Sequence, residues 1–421
     1  MNAEHRVTRT RGWDVVAGAF LVMFFIQGAR TVIGVMFKPM IQELAWSRSA
    51  ISMAAFINMA VFALSLTLVG KYYDRYGAKR IVVLSSLLVG ISYISIALVQ
   101  SLWSFILLYG ILAALGFGGT SIPLFGALIS KWFNRHRGLA ISIALAGGCL
   151  GQYVIVPLTS SLVNTYGWRS SFAILGVTIA CVNLLVAQFL LKEKSTTLDC
   201  LPDAESKDPL QTVIRSTDLN LFQASRTGSF WLFLIVMFIC GGGDYLVLTH
   251  LIPMVTDFGI PASTAGKMLG WAGFFSLIGV LLTGPVTDRF GNKPVIIVTF
   301  VLRTVIFLVV CRYRTLTSFY LFALAFGFTM LITAPITTTL VGKLYGFTHI
   351  GIITGFITTV HHFSGGLWAW LGGVIFDATG SYRAAFLMSA VSACIALGCA
   401  ILIREEKHSA RDQNSRPQAS S

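Results

Sequence analysis

A loop that occurs twice sets the plan of this chain. Gly70-Lys71-Tyr72-Tyr73-Asp74-Arg75-Tyr76-Gly77-Ala78-Lys79 sits between two long apolar runs. At an offset of 214 positions the chain reads Gly284-Pro285-Val286-Thr287-Asp288-Arg289-Phe290-Gly291-Asn292-Lys293, so that Gly, Asp, Arg, Gly and Lys coincide. The same offset pairs Gly28 with Gly242, Pro39 with Pro253, Gly151 with Gly365 and Arg169 with Arg383. It runs without a gap from the first apolar run to the sixth, which makes the chain two copies of one plan.

The runs themselves exclude a soluble fold. Twelve fall at 14–37, 49–69, 81–99, 104–129, 138–161 and 170–191, then 229–252, 265–283, 295–311, 318–340, 352–373 and 384–403. Each is near the ~20 residues a helix needs to cross the hydrocarbon layer, where helices alone satisfy their own backbone at this length. Charged residues make up 11% of the 421, against about 25% in soluble domains. The expected fold is an all-α polytopic membrane protein with twelve transmembrane helices in two pseudo-symmetric six-helix bundles. Residues 1–191 form the first bundle, 192–228 a polar cytoplasmic linker, 229–404 the second bundle and 405–421 a disordered tail. Arg6, Arg9 and Arg11 precede an apolar run too long for a cleaved signal peptide. Internal duplication in such a chain marks a transporter architecture.

The net charge of +14 does not point to nucleic acid, because the basic residues lie in short loops between apolar runs. With the N-terminus inside, 22 Lys and Arg fall in the termini and inner loops. Seven fall outside: Lys38, Arg48, Arg169, Lys267, Arg312, Arg314 and Arg383. That bias places both termini in the cytoplasm, and the protein as a multi-pass chain in the cell's inner (plasma) membrane. The seven cysteines are scattered without a Cys-x-x-Cys pair, so they indicate neither a metal cluster nor a disulfide framework. No glycine stretch has the strand before it or the Lys-Ser/Thr after it that a phosphate loop needs. Transport would therefore be driven by gradients, with no cofactor. The spans hold no paired acids and no His-rich metal site for an intramembrane enzyme. The linker of about 37 residues is too short for a sensor's effector domain.

A charge at mid-bilayer costs about 2.5–3.5 kcal/mol even on a lenient scale, and this chain keeps few. Asp244 is the one acid well inside a span, Arg30 and Arg303 the two bases, and His361 and His362 lie within span 11. Arg30 sits roughly 24 Å into span 1 at ~1.5 Å per residue, beside Gln27, Thr31 and Gly34. Asp244 is its repeat mate, and each stands nine residues before a span-ending proline. Two-fold symmetry is then expected to set Arg30 and Asp244 face to face. Thr354, Thr358, Gly365, Trp368 and Gly372 share the face of His361. Arg303 is expected to snorkel or to pair with a polar residue inside the second half. Asn58, Gln152, Tyr153, Tyr245 and the Thr329, Thr333, Thr337 stripe offer further polar groups, each also readable as a helix–helix contact.

Twelve spans, the 6+6 repeat, the central loop and the paired G-x-x-x-D-R-x-G-x-K loops resemble the major facilitator superfamily over residues 14 to about 404. Lys131-Trp132-Phe133-Asn134-Arg135-His136-Arg137-Gly138-Leu139-Ala140, with Ala146-Gly147-Gly148, is similar to the segment entering span 5 in monocarboxylate transporters and oxalate–formate antiporters. The turns Tyr166-Gly167-Trp168-Arg169 and Asp377-Ala378-Thr379-Gly380-Ser381-Tyr382-Arg383 are similar to bacterial members of that branch. Three departures stand out. Span 8 has only Lys267, at its outer end. Span 11 has no Lys or Arg, and span 4 no charge.

The resemblance implies a secondary transporter of a small carboxylate, working by alternating access as a monomer in the bilayer. Spans 1 and 7 would line the central cavity. Arg30 would bind the carboxylate through its fork, with His361, Tyr245, Asn58 and Gln152 completing the site. Asp244, paired with Arg30 in the empty carrier, would accept a proton once substrate took the arginine, and His361 would join it in proton coupling. Asp74, Arg75, Asp288 and Arg289 match the family's inner-gate positions. The alternatives are a carboxylate exchanger of the oxalate–formate type and, counted against by the lack of a Gly-Pro motif in span 5, a drug or metabolite efflux pump.

Overall fold

The computed structural model describes residues 3–133, 137–191, 219–346 and 349–403, with the side chains of 3–11, 67, 74 and 137 left out. Most of the expected linker, the tail beyond 403 and residues 134–136 of the motif before span 5 thus lie outside the described residues. Among the described residues the chain is helical, with no strand.

The first copy runs through α1 (Ala3–Arg30), α2 (Ile33–Leu44), α3 (Arg48–Tyr76) and α4 (Ala78–Ile96). It continues through α5 (Leu102–Phe105), a π-helical segment (Ile106–Ala113), α6 (Ala114–Gly118), α7 (Ile122–Ser130) and α8 (Arg137–Phe189). A one-turn helix, α9 (Leu221–Ala224), closed by reciprocal Asn220 and Gln223 caps, ends the linker. The second copy follows as α10 (Gly228–Asp257), α11 (Ala262–Phe290), α12 (Asn292–Arg312), α13 (Leu316–Met330), α14 (Thr333–Tyr345), α15 (Ile350–Thr379) and α16 (Arg383–Leu402). Ten helical stretches of the described residues are long and apolar enough to cross a membrane. One of them holds all of 138–189 and is broken by Gly167, whose backbone (φ 77°, ψ 167°) is not helical.

The duplication is visible in the backbone. α3 and α11 begin and end at the same offset of 214. Each is followed by a glycine of the repeated loop in a conformation closed to most side chains, Gly77 at φ 78°, ψ 167° and Gly291 at φ 86°, ψ 170°. Packing repeats as well: α1 lies along α8 as α10 lies along α15, and α4 along α8 as α12 along α16. The two largest seams between the copies are α3 on α15 and, symmetrically, α8 on α11, with α2 also packing on α10.

Large apolar side chains face outward, as lipid contact requires: Leu98 is 81% exposed and Trp103 78%. Inside, small residues set the spacing. A methyl group on Gly151 would run into the carbonyl oxygen of Phe24, and one on its repeat mate Gly365 into the ring of Tyr245. Close approach of this kind is how helices gain packing contact where lipid removes the hydrophobic drive. Gly151→Ala is therefore expected to destabilise the protein by about 1–3 kcal/mol through overpacking. Gly70→Ala, with open space around it, should be neutral or stabilising. Thermal unfolding of the two variants side by side checks the pair.

Candidate functional site

α1 and α2 do not form one continuous span. The helix breaks at Thr31–Val32, where amide bonds tighten to Thr31 N–H on Gly28 O (3.2 Å) and Val32 N–H on Ala29 O (3.3 Å). The Thr31 hydroxyl donates back to Gly28 O at 2.8 Å, the local competition that loosens helices at threonine. Arg30 is the last residue before the break.

Arg30 is buried, 9% exposed as a residue. The carbon Cζ lies 3.8 Å from the centre of the Phe62 ring, 5.8 Å from Tyr245 and 5.9 Å from Phe117. One Nη approaches the Met59 sulfur at 3.2 Å, and Nε is buried without a hydrogen-bond partner. Among the described residues no carboxylate lies within ion-pair distance of it. A cation held over aromatic faces and a thioether, with donors left over, is a poor structural element and a good anion site. Gln27, Arg30, Thr31, Met59, Tyr109 and Tyr245 line a cavity of about 20 Å³ beside it. Tyr109 sits in the π-helical segment, a distortion that recurs at functional sites.

Asp244 does not face Arg30. Its carboxylate is 2.7 Å from Nη2 of Arg303, an approach of charges rather than an aligned hydrogen bond, and both groups are nearly fully buried. Successive helical residues point about 100° apart, so Tyr245 turns toward Arg30 while Asp244 turns toward α12. Arg303 does pair inside the second half, and does not snorkel. It donates to the Thr329 hydroxyl and carbonyl at 3.1 Å each, and to Cys240 O at 3.3 Å. The threonine stripe thus builds this pocket: Thr333 lies 3.4 Å from the Cys240 sulfur, and Thr337 bonds back to Thr333 O.

His361 joins the two groups. Nδ1 lies 3.2 Å from Met237 O, and since a carbonyl only accepts, Nδ1 carries the proton. The lone pair on Nε2 then looks toward Asp244 Oδ2, 3.8 Å away. His361 and His362 flank the Tyr245 ring at 6.3 and 5.8 Å between centroids. His362 also packs on Phe62 at 4.9 Å, so it shares the surroundings of Arg30. Cys240, Asp244 and His361 offer ligand atoms within 4.8 Å of one another. The Arg303 guanidinium already balances the carboxylate, which disfavours a cation there.

The remaining polar residues divide by partner. Asn58 donates to Tyr109 O at 2.6 Å and Gln152 to Leu269 O at 3.1 Å, so each ties two helices together. Tyr153 packs on Trp271 and Phe274. Of the residues expected at an inner gate, Arg75, Asp288 and Arg289 are exposed, and the Asp74 side chain lies outside the described residues. Among the described residues the exposed ion pairs joining the two copies lie at the opposite face, where Asp257 meets Lys38 at 2.6 Å and Arg48 at 2.8 Å. Phe62 and Met59 were not singled out in the sequence, because neither residue type signals a site in an apolar run.

A polytopic bundle with an internal repeat, a broken helix and a buried unpaired cation is the build of a solute carrier. The Major Facilitator Superfamily model matches residues 19–255 and again 233–421. The chain belongs to that superfamily, and it is a membrane transporter rather than an enzyme. It is similar to the uncharacterized MFS-type transporter YcxA of Bacillus subtilis, 26% identical over 88% of this chain and 90% of the relative. It is also similar to monocarboxylate transporter 13 of Bos taurus, 25% identical over 93% and 88%, and to monocarboxylate transporter 11 of Homo sapiens, 25% over 90% and 80%. A solved D-xylose–proton symporter superposes with TM-score 0.74 over 94% of this chain and 98% of its own, at 15% identity, a likeness of fold alone.

Proposed function

We propose that the chain is a secondary transporter of a small organic anion of the monocarboxylate type, with Arg30 as the carboxylate anchor. The observation that carries this reading is the Arg30 guanidinium, buried against Phe62 with its Nε unpartnered. A bidentate carboxylate supplies the acceptors that the protein does not. Alternating access would run between two six-helix halves, 1–191 and 229–404, joined by the 192–228 linker. Twelve crossings result when the broken helix α8 counts as two and the 30-residue α15 as one. Both termini face the cytoplasm, in the inner membrane, and each monomer holds a complete pathway. Asp74, Arg75, Asp288 and Arg289 act at the inner gate.

Proton coupling is assigned to His361 with Asp244. A proton on His361 Nε2 gives Asp244 a second cationic neighbour. It also adds positive charge one ring away from Arg30, so proton and anion favour each other's binding. Uptake should then rise as pH falls and His361 takes up its proton. His361→Gln is expected to flatten that profile in proteoliposomes, and an unchanged profile removes His361 from coupling.

A second reading, anion exchange, is favoured by one feature. Arg30 has no acidic partner among the described residues, so an empty carrier would have to turn over with an uncompensated buried cation. Uptake confined to anion-loaded vesicles would select exchange over symport.

A further inference from the structure

We propose that His250 is a positioning residue that braces an outer gate whose pin is Asp257. The assignment of that face as outer rests on the topology proposed above. Lys38 lies midway along α2 and Arg48 opens α3, both in the first copy; Asp257 ends α10 in the second. The Arg48 fork grips both Asp257 oxygens at 2.8 and 2.9 Å, and Lys38 adds a contact of 2.6 Å. Beside it, Asp377 at the end of α15 accepts the backbone N–H groups of Arg48 at 3.1 Å and Ser49 at 2.8 Å. It thereby caps α3 with charge favourable to its dipole. Arg48 also lies 3.5 Å over the Phe376 ring. Separation of the copies at this face has to break every one of these contacts.

The cluster continues inward without a gap. Arg48 donates to the Tyr382 hydroxyl at 2.9 Å. That oxygen is 3.0 Å from His250 Nδ1, and His250 Nε2 is 2.7 Å from Ala369 O. A carbonyl only accepts, so Nε2 carries the proton, and Nδ1 accepts from Tyr382 while Tyr382 accepts from Arg48. One neutral tautomer satisfies every link. The ring is fully buried and touches both copies, with Phe37 edge-on at 5.3 Å and Ser52 Oγ at 3.5 Å. Ala369 and Thr249, its neighbours on either side, line the cavity beside Arg30. His250 thus stands between the anion cavity and the gate, on the same helix α10 as Asp244 but on its stretch toward Asp257. An imidazole committed at both nitrogens is an oriented brace.

Hydrogen–deuterium exchange of the protein in lipid nanodiscs tests this without any substrate, so it is separable from the cargo. Asp257→Asn should speed exchange in 33–44 and 245–257 roughly 5- to 10-fold, the population shift of two partly exposed ion pairs. His250→Phe and the milder Tyr382→Phe should do the same locally, leaving 295–310 unchanged. His250→Gln, which keeps a donor and an acceptor, should recover part of the protection. The double variant His250→Phe/Asp257→Asn should open no further than either single change, because the residues act as one unit. No local rise in Asp257→Asn overturns the gate. No rise in His250→Phe and Tyr382→Phe, additive effects in the double variant, or a rise spread evenly along the chain overturns the role of His250.

Discussion

Arg30→Gln is expected to lower carboxylate uptake by about 30- to 5,000-fold, the equivalent of about 2–5 kcal/mol for truncating one side of a buried hydrogen-bonded charge pair. Arg30→Lys should fall between, since an ammonium keeps the charge and loses the planar fork. Initial rates across a range of anion concentrations separate binding from turnover. The distinguishing feature is stability. Arg30 is buried with no acidic partner among the described residues, so its removal relieves a desolvated charge and should leave the melting temperature unchanged or higher. A residue kept for structure would show the reverse, with stability lost and transport merely weakened.

The opposite behaviour is expected at Arg303. Its ion pair with Asp244 is 2.7 Å long and buried on both sides. Arg303→Met leaves an uncompensated carboxylate in the second half, at a cost of about 3–5 kcal/mol. Asp244→Asn leaves the guanidinium unbalanced and should cost a similar amount. The double variant Asp244→Asn/Arg303→Met should regain most of the loss, because a neutral pair of similar volume replaces the ions. A double-mutant cycle on thermal or denaturant unfolding measures the coupling. Additive losses would mean that the two residues do not act as a pair.

These two arginines mark where the sequence is legible and where it is not. The repeat predicts the backbone closely: α3 and α11 and the Gly77 and Gly291 turns recur at one offset, and the paired glycines Gly151 and Gly365 both sit at close helix approaches. Each has a local physical cause, a run of apolar residues or a glycine that admits one geometry. Arg30 and Asp244 were visible as charges too costly to keep without a use. Their mutual pairing was not, because a repeat equates positions along two helices and leaves open which way each side chain turns. Asp244 turns toward α12, where the Arg303 guanidinium meets its carboxylate at 2.7 Å, while Cys240 on its own helix donates to Oδ2 at 3.6 Å. The break at Thr31–Val32 carries no proline, and only the back-bonding of Thr31 marks it. The His250, Tyr382 and Arg48 chain joins residues up to 334 positions apart, beyond any reading of local pattern.

The most direct test of the account compares a labelled short monocarboxylate with its isosteric amide in proteoliposomes, with and without an inward proton gradient. Size and shape are then equal, and only the charge that Arg30 would meet differs. Uptake of the acid that other carboxylates compete away, with no uptake of the amide and none in Arg30→Gln, is the predicted result. Equal transport of acid and amide, or uptake of neither while a neutral or cationic solute is carried, would contradict Arg30 as the anion anchor.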